Sequence, residues 1–215
     1  MKSCVGDVMT ARVVSVRKTA SFKEMIVLMR KFRVSAFPVI DDAGRVIGVV
    51  SQADMLNKEA DLATGAGPLS GILRFRDHDK AAGVTAAELM TAPPLTVSPT
   101  TPLTEAARLM RDRRVKRLPV TNATGHLIGI ISRADVLSVF ARPDADIHRE
   151  AAEEATAESF LEDSRLFGVT VHDGIVTVTG PPQSDQAGHD LIEAIRHIDG
   201  VVAVRDELSY PGKVR

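Results

Sequence analysis

The sequence has no tryptophan, one tyrosine and one cysteine among its 215 residues. Each scarcity removes a class of function. Cys4 alone cannot close an internal disulfide, so the chain is no disulfide-stapled scaffold and suits a reducing compartment. Aromatic residues make up 4%, and none interleaves with the cations of Arg111 to Arg117. The stacking platform that holds single-stranded nucleic acid is therefore missing, and nucleic acid is not an expected partner. Stretches such as Met25 to Met29 and Val46 to Val50 fall far short of the roughly 20 apolar residues that cross a bilayer. The opening Met1-Lys2-Ser3-Cys4 runs directly into Gly6-Asp7 with no apolar signal core. A cytoplasmic location and no membrane partner are the expectation. The six histidines, His78, His126, His148, His172, His189 and His197, form no metal spacing with cysteine or a paired carboxylate. Without a Gly-x-Ser-x-Gly elbow, a Walker loop or a Cys-His arrangement, no catalysis and no metal are expected.

What is present is a globular composition, with 44% hydrophobic and 26% charged residues, at a length that suits two compact units. The net charge of −1 conceals an asymmetry. Residues 1 to 149 hold 22 Lys and Arg against 15 Asp and Glu, a balance of +7, whereas residues 150 to 215 hold 5 against 13, a balance of −8. A basic portion suits phosphate-bearing ligands, and an acidic one disfavours anionic lipid.

A repeat with an offset of 81 organises the first portion. Met9-Thr10 recurs as Met90-Thr91, Leu28-Met29-Arg30 as Leu109-Met110-Arg111, and Pro38-Val39 as Pro119-Val120. Ile47-Gly48 returns as Ile128-Gly129, and Ser51, Ala53 and Asp54 return as Ser132, Ala134 and Asp135, without a gap. Each copy reads as a short helical turn ending at Met9 or Met90, an extended stretch, a helix, two tightly joined strands and a last helix. Ser21 with Glu24, and Thr85 with Glu88, have capping-box spacing, and Pro102 suits a first helical position. Phe22, Met25, Met29 and Phe32 mark the buried face of the first long helix. About fifty residues make a marginal core, so the two copies should pack face to face. The join from Asn57 to Gly83 reads as a surface connection with some helix.

Gly48-Val49-Val50-Ser51-Gln52-Ala53-Asp54 and Gly129-Ile130-Ile131-Ser132-Arg133-Ala134-Asp135 stand where a buried strand turns into a helix. Free backbone N–H groups there favour phosphate, a serine hydroxyl can hydrogen-bond it, and a carboxylate one turn on can accept both hydroxyls of a ribose. Ser-x-x-Asp is equally a helix capping box, and the spacing alone does not choose. With the repeated Asp7-Val8-Met9-Thr10 and Glu88-Leu89-Met90-Thr91, and with Arg33-Val34-Ser35-Ala36-Phe37-Pro38-Val39 and Arg114-Val115-Lys116-Arg117-Leu118-Pro119-Val120, residues 5 to 140 resemble a tandem pair of CBS domains, the Bateman module. The resemblance implies two pseudo-symmetric repeats, at residues 1–60 and 85–141 with a connection at 61–84, usually assembled into homodimers. It also implies two clefts for an adenosine-containing ligand such as AMP, ADP, ATP or S-adenosylmethionine. The first cleft would use Ser51 and Asp54 for phosphate and ribose, Leu95 against adenine, and Lys116 and Arg117 for phosphate. The second would use Ser132 and Asp135 with Val14, Ser35 and Ala36. Lys116 and Arg117 could instead be an exposed helix-to-strand corner.

Beyond the boundary at Ala141-Arg142-Pro143-Asp144, a helix-forming run from Ala151 to Asp163 precedes Val169-Thr170-Val171, the turn His172-Asp173-Gly174, and the strand Ile175 to Gly180. Ala187, Leu191, Ile195 and Ile198 trace a helix face, Gly200 ends the helix, and Val201 to Leu208 returns as a strand. Residues 148–212 thus form a small two-layer unit, which makes the whole chain α/β and α+β in class. Through Val171-x-x-Gly174-Ile-Val-Thr-Val-Thr-Gly180 and Gly200-Val201-Val202-x-Val204 this unit resembles a BON domain, a family associated with phospholipid surfaces or macromolecular partners. The combined expectation is a non-enzymatic nucleotide sensor whose occupancy acts on an interaction domain with an unidentified protein partner. Its alternatives are an interaction protein with vestigial clefts and an envelope-associated lipid binder.

Overall fold

Residues 3–57, 84–156 and 167–210 are described by the computed structural model. The first repeat runs α1 (Val5–Val8), β1 (Val16–Arg17), α2 (Phe22–Phe32), β2 (Ala36–Ile40), β3 (Val46–Ser51) and α3, described over residues 52–57. The second runs α4 (Ala86–Leu89), an extended Val97, α5 (Leu103–Asp112), β4 (Arg117–Thr121), β5 (Leu127–Ser132) and α6 (Arg133–Leu137), followed by a 3-10 turn at Ser138–Ala141. The expected connection at 61–84 lies outside the described residues except for Val84.

Local chemistry sets these elements. The Ser21 hydroxyl accepts the Glu24 N–H at 3.2 Å and starts α2. Met25 and Met29 are buried, but Phe32 is 45% exposed and carries the Lys31 ammonium 5.3 Å from its ring centroid, so the buried face is narrower than the spacing predicts. Pro102 has extended ψ of 141° and caps α5 without entering its first turn. Both β-hairpins close on a side-chain acceptor. Asp41 Oδ1 takes the N–H groups of Ala43 and Arg45, and Asn122 Oδ1 takes those of Thr124 and His126. Gly44 and Gly125 supply the positive φ, +83° and +81°, that these turns require.

The repeats do more than stack. Each lends its opening segment to the other. Val5 and Gly6 donate to the carbonyls of Thr101 and Pro99, and Thr10 pairs with Ile130 on β5. In the same way Ala86 and Ala87 donate to Ala20 and Lys18, and Thr91 pairs with Val49 on β3. Met90 lies against Gly48 and Met9 against Gly129, so closely that a Cβ at either glycine would displace the methionine side chain. Thr10 and Thr91 each add a single antiparallel bridge to the edge of the opposite repeat's hairpin.

Contact density divides the chain into Val5–Arg133 and a second unit of Ala134–Arg215 with Met1–Cys4. In the second, α7 (Asp144–Thr156), β6 (Gly168–His172), β7 (Ile175–Gly180), α8 (Asp185–Arg196) and β8 (Ala203–Leu208) form a three-stranded sheet in the order β6-β7-β8. β6 and β7 are antiparallel through a two-residue turn at Asp173 and Gly174, both with positive φ, and β8 runs parallel to β7. α7 and α8 bury Ile147, Ala151, Ala155, Leu191 and Ile195 against Val176 and Val178. The helix expected from Ala151 begins at Asp144, and residues 157–163 of that expectation lie outside the described residues. The mixed α/β and α+β class is the observed one.

Candidate functional site

β3 delivers Ser51 to the first turn of α3, and the antiparallel pairing of β2 with β3 sets Ala36 opposite it. The Gln52 N–H donates to the Ser35 carbonyl at 2.9 Å, which locks the entry of β2 to the start of α3. Ser51 donates twice to Asp54 Oδ2, from its backbone N–H and from its hydroxyl, both at 2.7 Å. The Asp54 N–H returns a longer bond to Ser51 Oγ at 3.4 Å. Ser-x-x-Asp is therefore a helix cap here. That role occupies one carboxylate oxygen, and Oδ1 has no hydrogen-bond partner among the described residues. Cap and ligand site are compatible at this residue.

Ser51 and Asp54 line a cleft of about 330 Å³ whose far wall comes from the second repeat. Such a volume falls at the small end of the ligand-pocket range. Thr91, carried along β3 by its pairing with Val49, leads into Pro93, Pro94 and Leu95 on one side. The corner Arg114-Val115-Lys116-Arg117 closes the other. That corner is braced: the Arg133 N–H donates to the Lys116 carbonyl at 3.2 Å, and Arg133 Nε donates to the Val115 carbonyl at 3.1 Å. Arg114, Lys116 and Arg117 form no ion pair among the described residues. An apolar wall, a carboxylate at the start of a helix and a cationic corner suit a planar base, a diol and a phosphate respectively.

The structure thus brings together Ser51, Asp54, Leu95, Lys116 and Arg117, the set expected for the first cleft. Ser35 and Ala36, expected in the second, line this same cleft. Their placement follows from the strand pairing that holds them beside Ser51. The offset of 81 carries Ser35 onto Lys116 and Ala36 onto Arg117, so the two corners are pseudo-equivalent and both border one cavity. Of the remaining second-cleft residues, Ser132 ends β5 opposite Arg117, Val14 packs on the first repeat's core, and Asp135 stands in the first turn of α6. Sequence reasoning missed Thr91, Pro93, Pro94 and Arg114. Their signal was adjacency to Leu95 and to Lys116, but only the exchange of opening segments shows that they line the cleft. Among the described residues no cluster of three metal-ligating side chains occurs, and no helix is long and apolar enough to cross a membrane.

The CBS-domain family model matches twice, at residues 5–61 and 86–142, one match for each half of the exchanged pair. The chain belongs to the CBS-domain family. Among curated relatives, the CBS domain-containing protein CBSX2 of Arabidopsis thaliana chloroplasts is 36% identical over 149 residues, covering 62% of this chain and 61% of that protein. CBSX1, also chloroplastic and from the same plant, is 32% identical with 62% of each covered. The chain therefore spans about three fifths of these relatives' length. The crystal structure of CBSX2 in complex with AMP superposes with a TM-score of 0.52 at 35% identity, covering 63% of this chain and 94% of that one.

Proposed function

We propose that this CBS pair is a regulatory sensor of an adenosine nucleotide, carrying out no reaction of its own, and that it acts on the C-terminal unit as a BON-like interaction domain. The observation that carries the reading is the cleft in which Ser51, Asp54, Leu95, Lys116 and Arg117 converge from two repeats. The AMP complex of CBSX2, a relative with the same paired fold, supports the choice of ligand class. Adenine lies against Leu95 and the prolines, the ribose diol meets the free oxygen of Asp54, and the phosphate meets Ser51, Lys116 and Arg117. AMP, ADP, ATP and S-adenosylmethionine are the candidate ligands. Ser132, Asp135 and Val14 contribute to a second, pseudo-equivalent cleft, and the pair assembles as a cytoplasmic homodimer whose acidic C-terminal unit engages a protein partner.

Calorimetric titration of the full chain with those four ligands tests the reading. Saturable binding of at least one is expected, with the Asp54→Ala and Asp135→Ala variants each losing one site. Failure of all four to bind would leave an interaction protein with vestigial clefts. Recovery of the protein in a membrane fraction would favour a lipid role.

A further inference from the structure

We infer that the Ser51–Asp54 cleft takes a nucleoside di- or triphosphate in preference to a monophosphate, and that Arg114 makes the distinction. The inference rests on the nucleotide reading above. Its first support is charge. Arg114, Lys116 and Arg117 line a cleft in which Asp54 is the one lining carboxylate among the described residues, and Asp54 is already bonded to Ser51. A phosphate monoester carries about two negative charges near neutral pH. Lys116 and Arg117 match that charge. The third cation is surplus to a monophosphate and is matched once a second phosphate is present.

The second support is the backbone at Arg114. Its φ is 54°, in the left-handed region that usually falls to glycine or asparagine just past a helix end. An L residue with a full side chain is sterically disfavoured there. Arg33, the offset-equivalent residue at the end of α2, has φ 53° as well, so the left-handed turn belongs to the helix end in both repeats, and at Arg114 it stands on the cleft wall. The residue is exposed, and its side chain makes no hydrogen bond or ion pair among the described residues. The turn sets a long cation, without a partner among the described residues, on the wall of a cavity where an anionic ligand can meet it. The corner is also held in place. The Val115 N–H donates to the Met110 carbonyl at 3.0 Å and the Arg114 N–H to the Arg111 carbonyl at 3.2 Å, while Arg133 anchors the carbonyls of Val115 and Lys116. Arg114 therefore projects from a fixed turn, two residues before Lys116, where it can reach a phosphate beyond the one that Lys116 and Arg117 hold.

The test compares AMP, ADP and ATP on the full-length wild type and on Arg114→Gly, with thermal unfolding of both. Glycine removes the guanidinium and suits the left-handed backbone, so a fold supported by this residue and a ligand held by it predict opposite results. The wild type should bind ATP and ADP more tightly than AMP. Arg114→Gly should weaken ATP and ADP by about tenfold or more, as for a lost charge-assisted contact, leave AMP within about twofold, and melt no lower than the wild type. Arg114→Asn tolerates the same backbone and repeats the measurement should the glycine variant fold poorly, and Arg114→Lys should retain part of the preference. Equal losses for all three nucleotides, no loss for any, or a wild type that favours AMP would overturn the assignment of Arg114 while leaving the sensor intact. Absence of binding by all three would overturn both.

Discussion

Tyr210 is the one tyrosine in a chain without tryptophan, so a single residue reports spectroscopically on the C-terminal unit. Burial, together with the bond its hydroxyl donates to Asp206 at 2.6 Å, pushes its pKa up to about 12. The unfolded phenol titrates near 10. Because the folded value is the higher, the neutral phenol stabilises the fold below about pH 10, and this contribution disappears as pH rises through about 12. An absorbance titration should place the phenolate transition near 12 in the folded protein and lower it in Asp206→Ala; a midpoint near 10 in the wild type would contradict the geometry. The glycines at the exchange points give a second residue-scale prediction. A Cβ at Gly48 would approach Met90 Cγ to 2.8 Å and Cβ to 2.9 Å, close to that residue's backbone, whereas at Gly129 the near atoms are the outer, movable part of Met9, with Sδ at 2.5 Å, Cγ at 3.2 Å and Cε at 3.4 Å. Gly48→Ala should therefore cost more than Gly129→Ala, in the range of about 1–3 kcal/mol for overpacking, by denaturant unfolding followed by circular dichroism.

At the level of elements, two carboxylates each tie a turn to a helix. Asp144 opens α7 and accepts the N–H groups of Asp173 and Gly174 at 2.8 Å and 2.9 Å, which fixes the β6–β7 turn to that helix. Asp144→Ala should destabilise the C-terminal unit by about 1–3 kcal/mol, read by the tyrosine signal on thermal unfolding. An unchanged midpoint would show that the turn holds itself. Asp54 caps α3 in the same sense, so Asp54→Ala should lower stability by about 1 kcal/mol and remove nucleotide binding at its cleft. Loss of the cap with binding intact would leave the aspartate a structural residue alone.

Across the whole molecule, the chain passes between its two units at Cys4–Val5 and again at Arg133–Ala134. The N-terminal passage is anchored on both sides. The Ser3 N–H donates to Asp199 Oδ2 at 2.8 Å in the C-terminal unit, and two residues later Val5 and Gly6 donate to Thr101 and Pro99 in the repeats. Thr10 then bridges to Ile130 on β5. A nucleotide that tightens the repeats should slow amide exchange at Val5, Gly6 and Thr10, and through this short covalent path at Ser3 as well. Protection that stops at Val5 would show that occupancy of the cleft is not transmitted by the N-terminal passage.

The sequence by itself determined the repeat, its offset, the order of elements, the hairpin turns and the Ser-x-x-Asp pair, because each is set by neighbours within about four residues or by strict recurrence. It also pointed, through family resemblance, to Leu95, Lys116 and Arg117. Only the tertiary structure decided that the opening segments change places, that Ser35 and Ala36 border the cleft of Ser51, and that Arg114 joins them. The reason is physical. A capping bond or a turn is set between adjacent groups, whereas the walls of the cleft come from residues about forty to eighty positions apart, and the strand edge that Thr10 or Thr91 bridges belongs to the opposite repeat.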